Sequence, residues 1–302
     1  MKIIITGGAG FVGRNLVRLM LNNGFDDKDI VVLDNSKGNM DFLKGYNIKK
    51  IVADLSKNGT WEEEFRNAEY VVNLAAQILS EDYDDFYVNN ISSTKNIVEC
   101  AKKYNVKGII HFSSVAAISI IKDTYSKTKL EGENVVKNSG INYCIIRPSL
   151  LYGPTDTKNI GFLIDFAKKF SFIPIPGDGK WPRQPIYIDD LCKLVILFME
   201  NFPKNQEYNI GGKTIIDFRD MMKIILDELG GFKFRLFLPM RVFRFLMILF
   251  QKLTGNKQFN EGQLVTLTSK EIFPTNPWWD EFNINITSFK DGISQMLRTK
   301  QI

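Results

Sequence analysis

TGGAGFVG, Thr6 to Gly13, follows the apolar run KIII, and three of its glycines, Gly7, Gly10 and Gly13, recur at every third residue. A turn from strand to helix needs one glycine, so the other two ask for a further reason. A dinucleotide pyrophosphate supplies it, because phosphates must approach backbone amides at the start of a helix, here those of Phe11 and Val12. Gly7 then permits the sharp turn, Gly10 lets the backbone come close to the phosphates, and Gly13 lets the helix pack against the strand. A lone glycine triplet is weak evidence against a plain turn, and GxxGxxG differs from the commoner GxGxxG. Its context strengthens it: a carboxylate, Asp34, ends the run DIVVLD about twenty residues on, followed by Asn35 and Ser36. Such an acid accepts hydrogen bonds from ribose hydroxyls and repels a 2′-phosphate, which favours NAD over NADP, although Lys37 softens the preference. With no GKS or GKT in this loop, a P-loop phosphoryl-transfer site is disfavoured.

Outward from this loop, short β-like runs alternate with amphipathic segments. KIIIT, DIVVLD, IKKIVAD, EYVVNLA, VKGIIHFSS and INYCIIRPS read as strands; helices are expected at 12–23, near 61–66, at 84–104 and at 125–138. Apolar runs of this length between helices mark parallel strands covered on both faces, hence an α/β fold with a doubly wound Rossmann sheet. We expect residues 1–154 to form this dinucleotide-binding domain and 155–302 a smaller C-terminal substrate lobe, folded over the carboxyl ends of the strands, with some segments returning to the first domain. In that lobe IPIPGDGKWPRQP reads as a loop, 189–201 and 217–229 as helices, and QEYNIGG as another strand.

Composition narrows the partners. Lys and Arg number 39 against 34 Asp and Glu, too thin a surplus for a nucleic-acid footprint. Three scattered cysteines and a single histidine argue against a zinc cluster or a Ser-His-Asp triad, so no metal is expected. The cysteines fit buried thiols in a reducing cytoplasm, and MKIIITGG enters the glycine turn too early to supply a targeting segment. The stretch 232–253 is rich in Phe and Leu, but its longest uninterrupted apolar run is 245–250, short of the roughly 20 residues a span requires. Arg241, Arg244, Gln251 and Lys252 fall near one helical face. A helix packed into a second core is favoured over membrane-surface contact through 239–254.

A second signal is TYSKTKLEGENVV, which sets Tyr125 and Lys129 one helical turn apart on one face. An ammonium there can hold the nicotinamide ribose and lower the phenol pKa, making Tyr125 an acid/base near neutrality. With both signals in place, the chain resembles an extended short-chain dehydrogenase/reductase of the NAD-dependent epimerase/dehydratase family, whose best-known members are UDP-glucose 4-epimerases. The resemblance covers nearly the whole chain. It places Asp54 and Leu55 at adenine; Leu74, Ala75, Ala76 and Gln77 along the cofactor and substrate; Asn90 at a structural asparagine; and Ser114 at the active-site hydroxyl. Pro148 and Tyr152, in IIRPSLLYGP, lead into the substrate lobe, and Arg183 takes the basic position near a nucleotide-sugar diphosphate. Tyr152 and the Trp278–Trp279 pair are candidates for stacking on the base, against the plainer reading of core or lid. A homodimer through 84–104 and 125–138 is also implied.

Two departures shape the expected chemistry. Tyr125 comes only eleven positions after Ser114, where the family has roughly two dozen, and Val115 and Ala116 stand where the 4,6-dehydratases carry Asp-Glu. Dehydration is disfavoured. The expectation is an NAD-dependent nucleotide-sugar epimerase or 4-keto-sugar reductase, with catalytic Ser114, Tyr125 and Lys129; the substrate is UDP-, GDP- or dTDP-linked. The alternative is a noncatalytic NAD(P)-binding scaffold, membrane- or complex-associated.

Overall fold

The computed structural model describes residues 1–80, 82–254 and 261–299. Six apolar runs form strands β1 (Ile3–Thr6), β2 (Ile30–Asp34), β3 (Lys49–Val52), β4 (Tyr70–Asn73), β5 (Gly108–Phe112) and β6 (Tyr143–Pro148). A seventh, Gln206–Ile210 of QEYNIGG, pairs with β6, and the sheet order is Gln206–Ile210, β6, β5, β4, β1, β2, β3. All its pairings are parallel. Strand order reverses between β1 and β4, the switch point beside which open α/β sheets bind ligands. Ile3, Ile4 and Ile5 are fully buried, which is why β1 shows no polar alternation.

The helix Phe11–Asn22 follows the glycine loop and Thr124–Lys137 follows β5. Between β4 and β5 a helix runs Tyr83–Tyr87, widens into a π turn over Val88–Ser92, and continues as Ser93–Lys103. The segment near Trp61 is a 3₁₀ helix, Thr60–Phe65, whose Trp61 and Phe65 join Leu33, Val71 and Ile97 in the core on one sheet face.

Two compact units emerge. The first comprises Met1–Pro148, Asp189–Ile210 and Asp280–Ile284; the second comprises Ser149–Ile188, Gly211–Trp279 and Asn285–Ile302. The helix Ile188–Glu200 and the seventh strand therefore return to the sheet, because that strand completes the ladder on β6. In the second unit, Tyr152, Ile164, Ile175, Met222, Ile225 and Ile293 share one core. There the strand Phe172–Pro176 pairs parallel with Phe234–Leu238.

The helix Met240–Thr254 departs from expectation. Only Met247 is buried, and Phe243, Phe250 and Gln251 are half-buried on the same side. The broad apolar remainder faces solvent, with Phe245 66% and Leu253 77% exposed, so this helix is not sunk in a second core. Among the described residues no helix is long and apolar enough to cross a membrane.

Candidate active site

Gly7 has φ +64°, and a Cβ there would lie 2.7 Å from the Ala75 amide nitrogen, so a side chain would collide with the exit of β4. A Cβ on Gly13 would fall 2.3 Å from the Gly8 carbonyl oxygen. The third glycine thus lets the helix close on the loop itself, a closer neighbour than the strand. Gly10 is the N-cap residue of Phe11–Asn22, with no side-chain cap and no acid in the first turn. The amides of that turn are left for an anion, and a Cβ at Gly10 would meet only the Gly7 carbonyl oxygen, at 3.1 Å, so the loop is open there as a pyrophosphate cradle needs.

Asp34 ends β2 buried. Its carboxylate accepts the Ala9 N–H at 3.1 Å and the Ser36 N–H at 2.9 Å. Burial raises its pKa, against those backbone bonds and the Arg14 guanidinium. Asp34 therefore braces the glycine loop from the strand end where a ribose would sit. Asn35 is exposed beside it. Asp54 accepts the Ser56 hydroxyl at 2.6 Å and pairs with Lys57 at 2.9 Å, which pulls its pKa down; it shapes a local turn. Leu55 is buried in the sheet core, so its side chain is committed to packing.

The segment after β4 is held from two sides. Leu74 N–H donates to the Thr6 carbonyl at 2.9 Å, Ala75 abuts Gly7, and Ala76 follows half-buried. The Gln77 N–H donates to Asn90 Oδ1 at 2.7 Å, while Asn90 Nδ2 donates to Thr128 Oγ1 at 3.0 Å. Asn90 thus clamps this segment to the helix Thr124–Lys137.

On that helix stand Tyr125 and Lys129. The short connection from β5 is compact: Ser114 caps the 3₁₀ turn Val115–Ile118 by accepting the Ala116 N–H at 3.2 Å, and Asp123 caps the helix by accepting the Ser126 N–H at 2.8 Å. The Ser114 hydroxyl lies beside the Tyr125 phenol and acts on it. Burial pushes the Tyr125 phenol up to about 12, with the Ser114 hydroxyl opposing it and the Asp123 charge adding to it.

Lys129, expected to hold the phenol acidic, is not among the groups that set its pKa in this structure. Lys129 is itself buried, donates to the Phe112 carbonyl at 2.6 Å, and is lowered by burial to about 8, with Glu133 opposing. Glu133, fully buried, is gripped by Arg147 through bonds of 2.7 Å and 2.5 Å. Arg147 also reaches Glu207 on the seventh strand. Pro148 ends β6 buried, opposite Ile210.

A polar layer went unread in the sequence. Thr6, Asn73 and His111 stand in register across β1, β4 and β5. Thr6 Oγ1 donates to Asn73 Oδ1 at 2.7 Å, and Asn73 Nδ2 lies 3.0 Å from His111 Nδ1. Burial, then the Lys129 charge, drives the His111 pKa well below its usual value, so the ring is neutral. The available signal was three apolar runs, KIIIT, YVVN and GIIH, each reaching one polar side chain.

The second unit gives the other candidates different work. Arg183 donates to the carbonyls of Thr266 at 2.9 Å, Ser269 at 3.1 Å, and Leu267, closing the end of the helix Glu261–Thr268. Burial lowers its pKa to about 10. Tyr152 is fully buried 5.0 Å from the Phe289 ring, and Trp278 is buried with its Nε1–H on the Gly211 carbonyl at 2.9 Å. These are packing and capping roles, in place of base stacking and phosphate binding. Cys100, Cys144 and Cys192 are buried, and burial raises all three thiols.

Residues 3–211 match the model of the NAD dependent epimerase/dehydratase family. A Methanocaldococcus jannaschii protein provisionally named UDP-glucose 4-epimerase is 29% identical over 259 residues, 76% of this chain and 82% of the relative. The ceramide reductase of Caulobacter vibrioides is 27% identical over 196 residues, 65% of this chain and 60% of that protein. Among solved structures, a Thermotoga maritima UDP-glucose 4-epimerase with UDP-glucose superposes with TM-score 0.80 at 22% identity, covering 100% of this chain and 99% of the other.

Proposed function

The chain belongs to the NAD dependent epimerase/dehydratase family, and from that premise we propose that it binds NAD at the glycine loop and acts as a nucleotide-sugar epimerase or 4-keto-sugar reductase. The observation that carries the reading is the pairing of the Ser114 hydroxyl with the Tyr125 phenol across the shortened connection. Two hydroxyls brought together at the end of β5 are what proton transfer at a substrate oxygen requires.

NAD, when bound, supplies the hydride acceptor and donor. The chain's residues do the rest. Ser114 donates a hydrogen bond to the substrate oxygen and keeps it beside Tyr125 Oη. In oxidation Tyr125, as phenolate, takes the hydroxyl proton while the substrate carbon gives up hydride; in reduction Tyr125 returns the proton to the same oxygen. A protonated phenol is the form that donates to the substrate oxygen in the reductive half. The oxidative half needs positive charge near Oη, from Lys129 and the oxidised nicotinamide. Val115 and Ala116 put no carboxylate beside Ser114, which removes the groups expected for dehydration. The relatives support the nucleotide-sugar class, and epimerase versus reductase turns on whether the reduced cofactor stays bound.

The test incubates purified protein and NAD with UDP-, GDP- and dTDP-sugars, following nicotinamide absorbance and product stereochemistry. Inverted sugar without net NADH marks an epimerase; reduction of a 4-keto-sugar with NADH consumed marks a reductase. Tyr125→Phe lowers turnover by about a hundredfold or more and leaves NAD affinity nearly unchanged. NAD binding with no sugar converted by any route returns the chain to the scaffold alternative.

A further inference from the structure

Helix Met240–Thr254 carries an outward stripe at Val242, Phe245, Leu246, Leu249 and Leu253, spaced as one face of an α-helix. Its other side rests on the strand Phe172–Pro176 through the face that buries Met247. The preceding segment extends the apolar surface: Phe232 is 89% exposed, Phe234 and Leu236, two apart on one strand face, are also exposed, and Phe234 stacks on Phe172 at 5.9 Å. Scattered apolar side chains are ordinary on a protein surface, but a row along one strand and the next helix is not.

Charge selects what covers it. From Leu229 to Asn260 the sequence contains no Asp or Glu, while Lys233, Arg235, Arg241, Arg244 and Lys252 fall within it. On the helix, Arg241, Arg244 and Lys252 lie along one border of the apolar stripe. Lys233 donates to the Ala167 carbonyl and Arg235 to the Arg219 carbonyl. Asp217 and Asp220, in the unit's own helix start, face Arg219, and Asp220 also faces Arg235. Two copies apposed by this helix would set one row of cations against another with no acid in either segment. An anionic bilayer fits instead, because its headgroups meet the basic border while the interface takes up the aromatic and aliphatic row. The stripe covers twelve residues, about 17 Å of helix from first to last, so the helix lies in the interface plane and does not cross.

We propose that the face formed by Phe232–Phe237 and the outward side of Met240–Thr254 docks this protein on the surface of an anionic lipid bilayer. The inference is independent of the catalytic reading.

Flotation of the full chain with vesicles of phosphatidylcholine plus about one third phosphatidylglycerol tests it. The expected result is recovery with these vesicles, reduced about tenfold or more on phosphatidylcholine alone. Phe245→Ser with Leu249→Ser and Leu253→Ser lowers the bound fraction about tenfold or more, while NAD affinity and thermal melting stay at wild-type values. Arg241→Glu with Lys252→Glu weakens recovery on anionic vesicles alone. Wild-type protein left in the vesicle-free fractions overturns the proposal, as does equal recovery of the triple-serine variant. A wild-type dimer in sedimentation without lipid, dispersed by the serine substitutions, also overturns it by assigning the face to a second copy.

Discussion

The two units treat charged side chains in opposite ways. In the first, Lys129, Glu133 and Arg147 are buried beneath the site and linked to one another, and the chain holds them there with paired carboxylates and carbonyls. In the second, Arg183 turns onto the carbonyls of its own unit, and the cations Arg241 and Lys252 border an exposed apolar row. A parallel sheet fixes its strand ends to within hydrogen-bond tolerance, so a polar residue there has few places to go. A lobe built from two-stranded pieces lets a long side chain reach whichever carbonyls lie nearest.

The sharpest way to break this contrast is at Arg147. Arg147→Ala leaves Glu133 buried beside only Lys137, 3.6 Å away, and Lys129; the expected loss is about 3–5 kcal/mol in urea unfolding. A loss below about 1 kcal/mol would make the network no different from surface pairs. Next comes Lys129. Its folded pKa, about 8, lies below its unfolded value of 10.5, so between these the unfolded chain holds more protons and stability rises with pH. Stability should climb by up to about 3 kcal/mol across that window, and Lys129→Met should flatten the climb. The smallest effect belongs to Arg183. Arg183→Ala should lower stability by about 1–2 kcal/mol through lost carbonyl bonds and leave the KM for a nucleotide sugar within about twofold. A tenfold rise in KM would return Arg183 to the substrate phosphates.

The sheet, its helices and the shared helix face of Tyr125 and Lys129 were legible because each depends on short-range pattern: apolar runs, glycine spacing, an i,i+4 pair. Burial was not. The phenol's raised pKa follows from how deeply Tyr125 sits, and the committed Nζ of Lys129 from where Phe112 O points, and neither is written in spacing. Tyr152 was misassigned for a related reason. A tyrosine after a strand serves a pocket or a core equally well in sequence, and the packing of Phe289 decides. The helix 240–254 was recognised as amphipathic, but periodicity alone does not tell which half turns inward.

The π turn at Val88–Ser92 has a consequence for what this helix can present. In a regular α-helix neighbours point about 100° apart, and adjacent residues on the inward side are both buried, as Ile97–Val98 and Cys100–Ala101 are in the coils that follow. The widened coil sets the phase between that inward side and Asn90, which holds Gln77. Removing a single amino acid from that coil would restore ordinary winding and force the chain to choose between latching Gln77 and filling its own interior.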